Sequence, residues 1–423
     1  MKPQLLIMGN EKYNSIESVN ALGEEIFISG YTIPFRSSGF IACMRDSEIE
    51  WCKRIPSDQP WSSNSITSII VEKDKIYACG EHVALKLNTE GKLQWIKPFK
   101  EGLFRKLLKL NDKLVLVDEL GHILLMSTEG EVLKAIRLDV VEVTGKRKFA
   151  YLVDACLLGN YIIIAGENHS LFEEEKWSMT AFCFNSELEL KWARATPIIE
   201  FIPRCSSEET RIFVREIGNV CSDGSRAYVA SRFYLSGEGD YMVVTAVTPK
   251  GEVDWSIALG ESPSASFAGH VVKARGNKLY VFGRVHEYKR EKFLGVVVLD
   301  KRIGKPQEYY MFENLKGMCV HDVDFVGDYA LVAGESMAFC FGDEDDGFLL
   351  YWPLGFTGVF EWCGVDWPSV RVRETYFNHM HLPLKLRDID AKVAEVKVAK
   401  SNIKYKLENW KPKIVKAVTS QTH

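Results

Sequence analysis

Apolar and polar residues alternate along this chain in short runs, and the runs come in fours. The clearest set fills Ile66–Phe99: ITSIIVEKD, KIYACGEH, VALKLNTEG and KLQWIKPF. Each run is strand-length, has a period of two and is bounded by turn residues, which predicts four antiparallel strands joined by tight hairpins. The set recurs seven times between Ser15 and Val365. Four-stranded units repeating every ~40–60 residues are the signature of a β-propeller. The expected fold is therefore all-β: a seven-bladed β-propeller of four-stranded antiparallel blades, with strands a to d running from the channel outward.

Two positions in the repeat carry most of the register. The fourth strands end SEIEW (Trp51), GKLQW (Trp95), GEVLK (Lys134), ELKW (Trp192), GEVDW (Trp255), GKPQEY (Tyr309) and GVFEW (Trp362). A large flat ring there predicts a wedge between neighbouring blades. Strand b closes on a small residue at Gly30, Gly80, Gly166, Gly283 and Gly334, with Asp118 and Ser231 in the same places of blades 3 and 5. This phasing assigns residues 1–368 to the propeller and 369–423 to a C-terminal β extension packed on it.

Blade 1 reads IFISGYTIPFRSSGFIACMRDSEIEWCKRI, and blades 4 and 5 follow the same plan. These units resemble the bacterial and archaeal β-propeller repeat family (SBBP-like), and the G-x-x-x-W endings are similar to quinoprotein-like propeller repeats. The resemblance implies the propeller fold and no particular activity, because the shared Trp and Gly are architectural. Quinoprotein enzymes are typically exported and carry a recognisable cofactor site. No export signal and no adjacent-Cys pair is found in this sequence, so no cofactor is expected.

Composition narrows the function classes. With 423 residues, 46% of them hydrophobic, the chain can bury a large core as one propeller. A net charge of −4 gives no electrostatic case for nucleic acid or an anionic membrane. No apolar run approaches the ~18 residues that span a bilayer, and MKPQLLIMGNEKYN is too weakly apolar for a signal-peptide core. A cytoplasmic protein is the expectation. The ten cysteines include no C-x-x-C pair and mostly sit inside strand patterns, as small buried hydrophobes do. Cys205 and Cys221, outside strand centres, are the one pair placed for a bridge. Five glutamines beside 26% charged residues lean towards an archaeal, thermophilic source.

Function is expected on one face. The a–b and c–d turns are short and rich in Gly, Asn and Asp, which supply the positive φ of tight hairpins. The b–c and d–a connections share the opposite face and are long, notably Glu167–Ser178, Thr196–Arg211, Arg232–Asp240 and Val285–Lys292. Long connections are commonly retained for binding. Thirteen residues before each strand-b position lie Glu17, Thr67, Arg105, Val153, Gly218, His270 and His321, followed by Ser18, Ser68, Lys106, Asp154, Asn219, Val271 and Asp322. Of these, His270, His321, Asp322, Glu17, Arg105 and Asp154 are the candidate ligand-binding residues at the channel mouth. Two imidazoles with carboxylates around them suit a metal or a small anion, and equally suit a polar channel lining solvated by water. No metal site and no catalytic residue is assigned.

The reading is a non-catalytic binding platform or assembly subunit with a protein partner, no membrane, and nucleic acid only through the basic tail. The alternative is a hydrolase or lyase acting on a sugar or small anion, with His270, His321 and Asp322 as its acid–base groups. No Ser-His-Asp set, P-loop, dinucleotide fingerprint or H-E-x-x-H appears in the sequence. The acidic run GDEDDG (342–347) reads as a Ca²⁺ loop or a solvated turn, and His379-Met-His381 as a metal chelate or a partly buried edge.

The C-terminal stretch differs in character. Leu384–His423 holds ten Lys/Arg against four Asp/Glu. AKVAEVKVA (391–399) and NIKYKLE (402–408) alternate apolar and charged residues and predict a hairpin around Lys400 and Ser401. That hairpin would dock on the acidic propeller or clasp an acidic partner. Ring closure is expected from PQLLIMG (Pro3–Gly9) or from SVRVRETYF (Ser369–Phe377), since an unpaired terminal edge invites association.

Overall fold

A computed structural model describes residues 4–9, 13–32, 38–56, 64–172, 177–196, 199–201, 210–235, 239–260, 265–287, 290–314, 319–336, 346–363, 369–375, 379–382, 384–398 and 407–419. Within these, the side chains of 169, 199–217, 234–240, 265–270, 286–292 and 362 lie outside the described set. Every regular element among the described residues is a strand, and no helix among them is long and apolar enough to cross a membrane. The innermost strands are Asn14–Leu22, Ile66–Glu72, the second half of Leu93–Leu110, Leu152–Leu158, Thr210–Ser222, Ala265–Arg275 and Cys319–Val326. Each packs against the next, and the last packs against the first. The chain is a β-propeller.

The repeat is written in two bulges. In all seven inner strands the ladder to strand b slips by one residue, at Glu17, Thr67, Arg105, Val153, Gly218, His270 and His321. The slip brings a carbonyl of strand a hard against strand b. A Cβ on Gly80 would lie 1.7 Å from the Ser65 oxygen, and one on Gly30 1.9 Å from that of Ser15. Close backbone approach is thus the reason for the small residue, as at many bulges. In blade 3 the fully buried Asp118 holds that place, and its carboxylate accepts from the amides of Leu103 and Leu120.

The second bulge falls between strands c and d of blades 1 to 6, one residue before Trp51, Trp95, Lys134, Trp192, Trp255 and Glu308. Four indoles from these positions donate to the c–d turn of the next blade: Trp51 to Thr89 O (2.9 Å), Trp95 to Thr128 O (3.1 Å), Trp192 to Pro249 O (2.9 Å) and Trp255 to Lys301 O (3.2 Å). The rings lie against Gly91, Gly130, Gly251 and Gly304 of those turns. Lys134 reaches the same kind of site with its ammonium, 2.8 Å from Glu187 O. Two wedge expectations are corrected. In blade 6 the register puts Glu308, not Tyr309, at this place. In blade 7 Gln4 replaces Trp362, and its amide donates to Ser47 in the turn of blade 1.

Gln4 is there because the N-terminal segment closes the ring. Gln4–Gly9 pairs antiparallel with Asp346–Pro353 as strand d of blade 7, from Gln4 opposite Tyr351 to Met8 opposite Gly347. All six of its residues are buried. GVFEW, which has the repeat's ending but less apolar surface to bury, lies outside it. It pairs with Val370–Glu374 and with Lys413–Thr419. Val370–Glu374, the other closure candidate, pairs with blade 6 through Lys305–Glu313.

The remainder of the C-terminal region runs round the rim against the order of the blades. His379–His381 pairs with strand d of blade 5, Arg387–Asp388 with that of blade 4, and Ala391–Glu395 with that of blade 3. Glu408–Asn409 then pairs with blade 1, and Lys413–Thr419 with Gln4–Gly9 of blade 7. The expected hairpin is corrected in consequence: residues 391–395 take blade 3 as partner, because an open strand-d edge is adjacent at each step of the path. Lys400 and Ser401 lie outside the described residues.

Candidate binding face at the channel mouth

The residues that follow the inner bulges form a seam linking blade to blade. Asp322 Oδ2 accepts from Ser18 Oγ (2.9 Å) and Val19 N (3.1 Å), Ser18 Oγ from Ile69 N (3.4 Å), and Ser68 Oγ from Leu107 N (3.2 Å). Asp154 Oδ2 accepts from Val220 N (2.8 Å) and from the Asn219 amide, and Asn219 Oδ1 accepts from Val272 N (3.4 Å). Lys106 and Val271 cannot accept a hydrogen bond. At their blades lysines bridge the gap instead: Lys106 to Asp154 (3.1 Å) and Lys273 to Asp322 (3.0 Å). Burial works to raise the Asp322 pKa, but Lys273 and Lys106 hold it below the usual carboxylate range. Two of the sequence-derived candidates, Asp322 and Asp154, are therefore engaged in this seam.

The bulged residues themselves stand one step nearer the loop-bearing face. His321 lies between two carboxylates, its Nε2 3.8 Å from Glu17 Oε1 and 3.6 Å from Glu335 Oε2. Burial pulls the imidazole pKa down, but Glu17 and Glu335 outweigh it and lift the value to about 9. The Tyr13 hydroxyl donates to Glu335 and stacks on Tyr31 with ring centroids 5.5 Å apart. Ser15 Oγ donates to Glu17 (2.6 Å), and Arg284 donates to Cys319 Sγ (3.1 Å). Arg105 pairs with Glu119 and also feels the charge of Glu17. Glu17 and His321 are thus brought together. The side chain of His270 lies outside the described residues, as does most of GDEDDG, Cys205 and much of the long connections.

Sequence reasoning passed over Glu335, Tyr13 and Arg284. A signal for the first was present: the residue after the strand-b anchor is glutamate in four blades, at Glu81, Glu119, Glu167 and Glu335. None of the eight described cysteines, Cys221 among them, is in a disulfide. His379 and His381 sit in the rim strand on blade 5, where the His379 ring meets the Tyr309 hydroxyl at 3.3 Å.

One sector of this face is apolar. Leu120, in the b–c turn of blade 3, is 40% exposed, and Phe149, in the connection to blade 4, is 52% exposed. The two share a surface groove with Arg137, Asp139, Arg147 and Lys148. The Arg137 guanidinium lies 4.9 Å from the centroid of the Phe149 ring, a cation–π contact that holds the ring in place. Val143, Tyr151 and Trp177 are exposed in the same two blades, and Val143 N donates to Ser170 O (2.8 Å), tying the connection to blade 4.

No family profile and no curated protein sequence matches the chain. Among solved structures it is similar to the WD40 domain of Pan2 from Neurospora crassa, at 10% identity and a TM-score of 0.49, covering 80% of this chain and 90% of that one. It is also similar to the WD40 β-propeller domain of Doa1, at 10% identity and a TM-score of 0.49, covering 82% and 96%. BamB from Moraxella catarrhalis follows at 11% identity and a TM-score of 0.35, covering 79% and 93%. At these identities the likeness is one of fold.

Proposed function

We propose that the protein is a binding platform for another protein, which seats an apolar anchor on the loop-bearing face over blades 3 and 4. The observation that carries this reading is that Leu120 and Phe149 share one charged-rimmed groove, with Val143, Tyr151 and Trp177 exposed in the same two blades. They are five of the eleven large apolar side chains exposed among the described residues. Single exposed hydrophobics are ordinary, whereas an apolar groove with an aromatic member and a charged rim is the form an interaction site takes. Low connections give access: blade 2 joins strands b and c by a turn at His82, and Leu93–Leu110 runs from blade 2 into blade 3 without a loop.

A Leu120→Ser/Phe149→Ser double variant tests the site. Affinity capture from source lysate with wild type should retain a stoichiometric protein that the variant loses, with both proteins melting within a few degrees of each other. A wild type that runs alone in every lysate fraction, or a variant that keeps the same partner, defeats the reading. The second reading, a hydrolase or lyase on a sugar or small anion at the mouth, draws support from the His321 imidazole between Glu17 and Glu335.

A further inference from the structure

We propose that Cys319, His321 and Glu335 bind a divalent transition metal, zinc first among them, on the blade 7 side of the channel mouth. The fold puts the three donors on one face. Cys319 and Glu335 are ladder partners, and His321 is the bulged residue two positions beyond Cys319. A thiol sulfur, an imidazole nitrogen and a carboxylate oxygen from these residues lie within 4.8 Å of one another. Zinc bonds of about 2.0–2.3 Å place tetrahedral ligands roughly 3.3–3.8 Å apart, so small side-chain rotations close the set. Glu17 Oε1, 3.8 Å from His321 Nε2, lies beside this trio on blade 1 but is not one of its three donors.

Donor chemistry selects the metal class. Sulfur and imidazole favour zinc and its transition-metal neighbours, whereas calcium and magnesium require oxygen ligands throughout. His321 Nε2 is buried with no partner at ordinary hydrogen-bond distance; the Glu335 and Glu17 oxygens stand 3.6 and 3.8 Å away, so a metal would take the place of the imidazole proton between them. Tyr13 and Ser15 donate to the same oxygens that face His321, Glu335 Oε2 and Glu17 Oε1, so a metal would share Glu335 Oε2 with the tyrosine or turn the carboxylate to its other oxygen. Arg284 works against a cation, with its guanidinium 3.1 Å from Cys319 Sγ. A comparable trio, Glu25, Cys43 and Glu50, differs in that Arg45 already bridges both of its carboxylates.

The experiment uses the full chain after chelator treatment, titrated with Zn²⁺ against a chromophoric competitor and with Co²⁺ as a spectroscopic probe. Wild type should bind one equivalent, and the Co²⁺ complex should show a thiolate-to-metal charge-transfer band. Cys319→Ser should abolish that band, and His321→Ala and Glu335→Gln should each weaken Zn²⁺ binding about 10–100-fold. Arg284→Ala should tighten it by about tenfold, since it removes a positive charge beside the site. Absence of saturable binding in the wild type, or a charge-transfer band that survives in Cys319→Ser, overturns the proposal. Melting curves of Cys319→Ser and Glu335→Gln separate lost ligands from lost folding.

Discussion

At Gly30, Gly80, Gly166 and Gly334 the inner strand leaves no room for even a methyl group on strand b. At Gly80 the inner strand presses its Ser65 carbonyl to within 1.7 Å of where a Cβ would stand, and that carbonyl also accepts from Glu81 N at 3.0 Å. Gly80→Ala should therefore cost about 2–4 kcal/mol, read as a fall in denaturation midpoint, because backbone must move and no rotamer can relieve the clash. Counting back from the strand-b positions picks out from sequence the seven residues at which the ladder slips, without showing that they are bulges. It left open which way the following side chains face. Asp322 and Asp154 look like mouth residues in an alignment, yet their oxygens bind Val19 and Val220 of the adjacent blades. Periodicity distinguishes the two faces of a sheet, but it cannot say whether a face meets water or the neighbouring sheet.

At the scale of the strand, closure depends on six residues. Leu5, Leu6, Ile7 and Met8 are at most 3% exposed, and burying each such side chain contributes about 1.5–3 kcal/mol. Deleting residues 1–9 should lower the melting temperature by more than ten degrees, far beyond the effect of trimming a frayed end. An unchanged melting curve would show that Gly358–Trp362 can move in as a substitute. The closing strand was legible because its apolar run has no competing role in the repeat. The rim was not, because each of its short strands pairs with a blade tens to hundreds of residues away. Without that partner, AKVAEVKVA and NIKYKLE satisfy the pattern of a local hairpin equally well.

For the molecule as a whole, the rim strands cover the outer edges of blades 6, 5, 4, 3 and 1, and lie beside the closing strand of blade 7. A chain ending at residue 368 should keep the ring but expose those edges. Exposed edges pair with other edges, so light scattering should find this truncation associating where the full chain does not. A monodisperse truncated protein would mean that the strand-d edges are protected by their own twist and charge.

The first and last ladder strands also determine how the molecule answers a pull. Gln4 sits opposite Val418 and Gly9 opposite Lys413, so the outward ends of the two strands emerge side by side. Tension applied across them loads the rungs one after another, like a zipper, instead of shearing all of them together. This outer ladder is therefore the one that unzips, and it is distinct from the pairing of Gln4–Gly9 with Asp346–Pro353 that completes the ring. Under force Lys413–Thr419 would peel from the closing strand first, before the ring itself is disturbed.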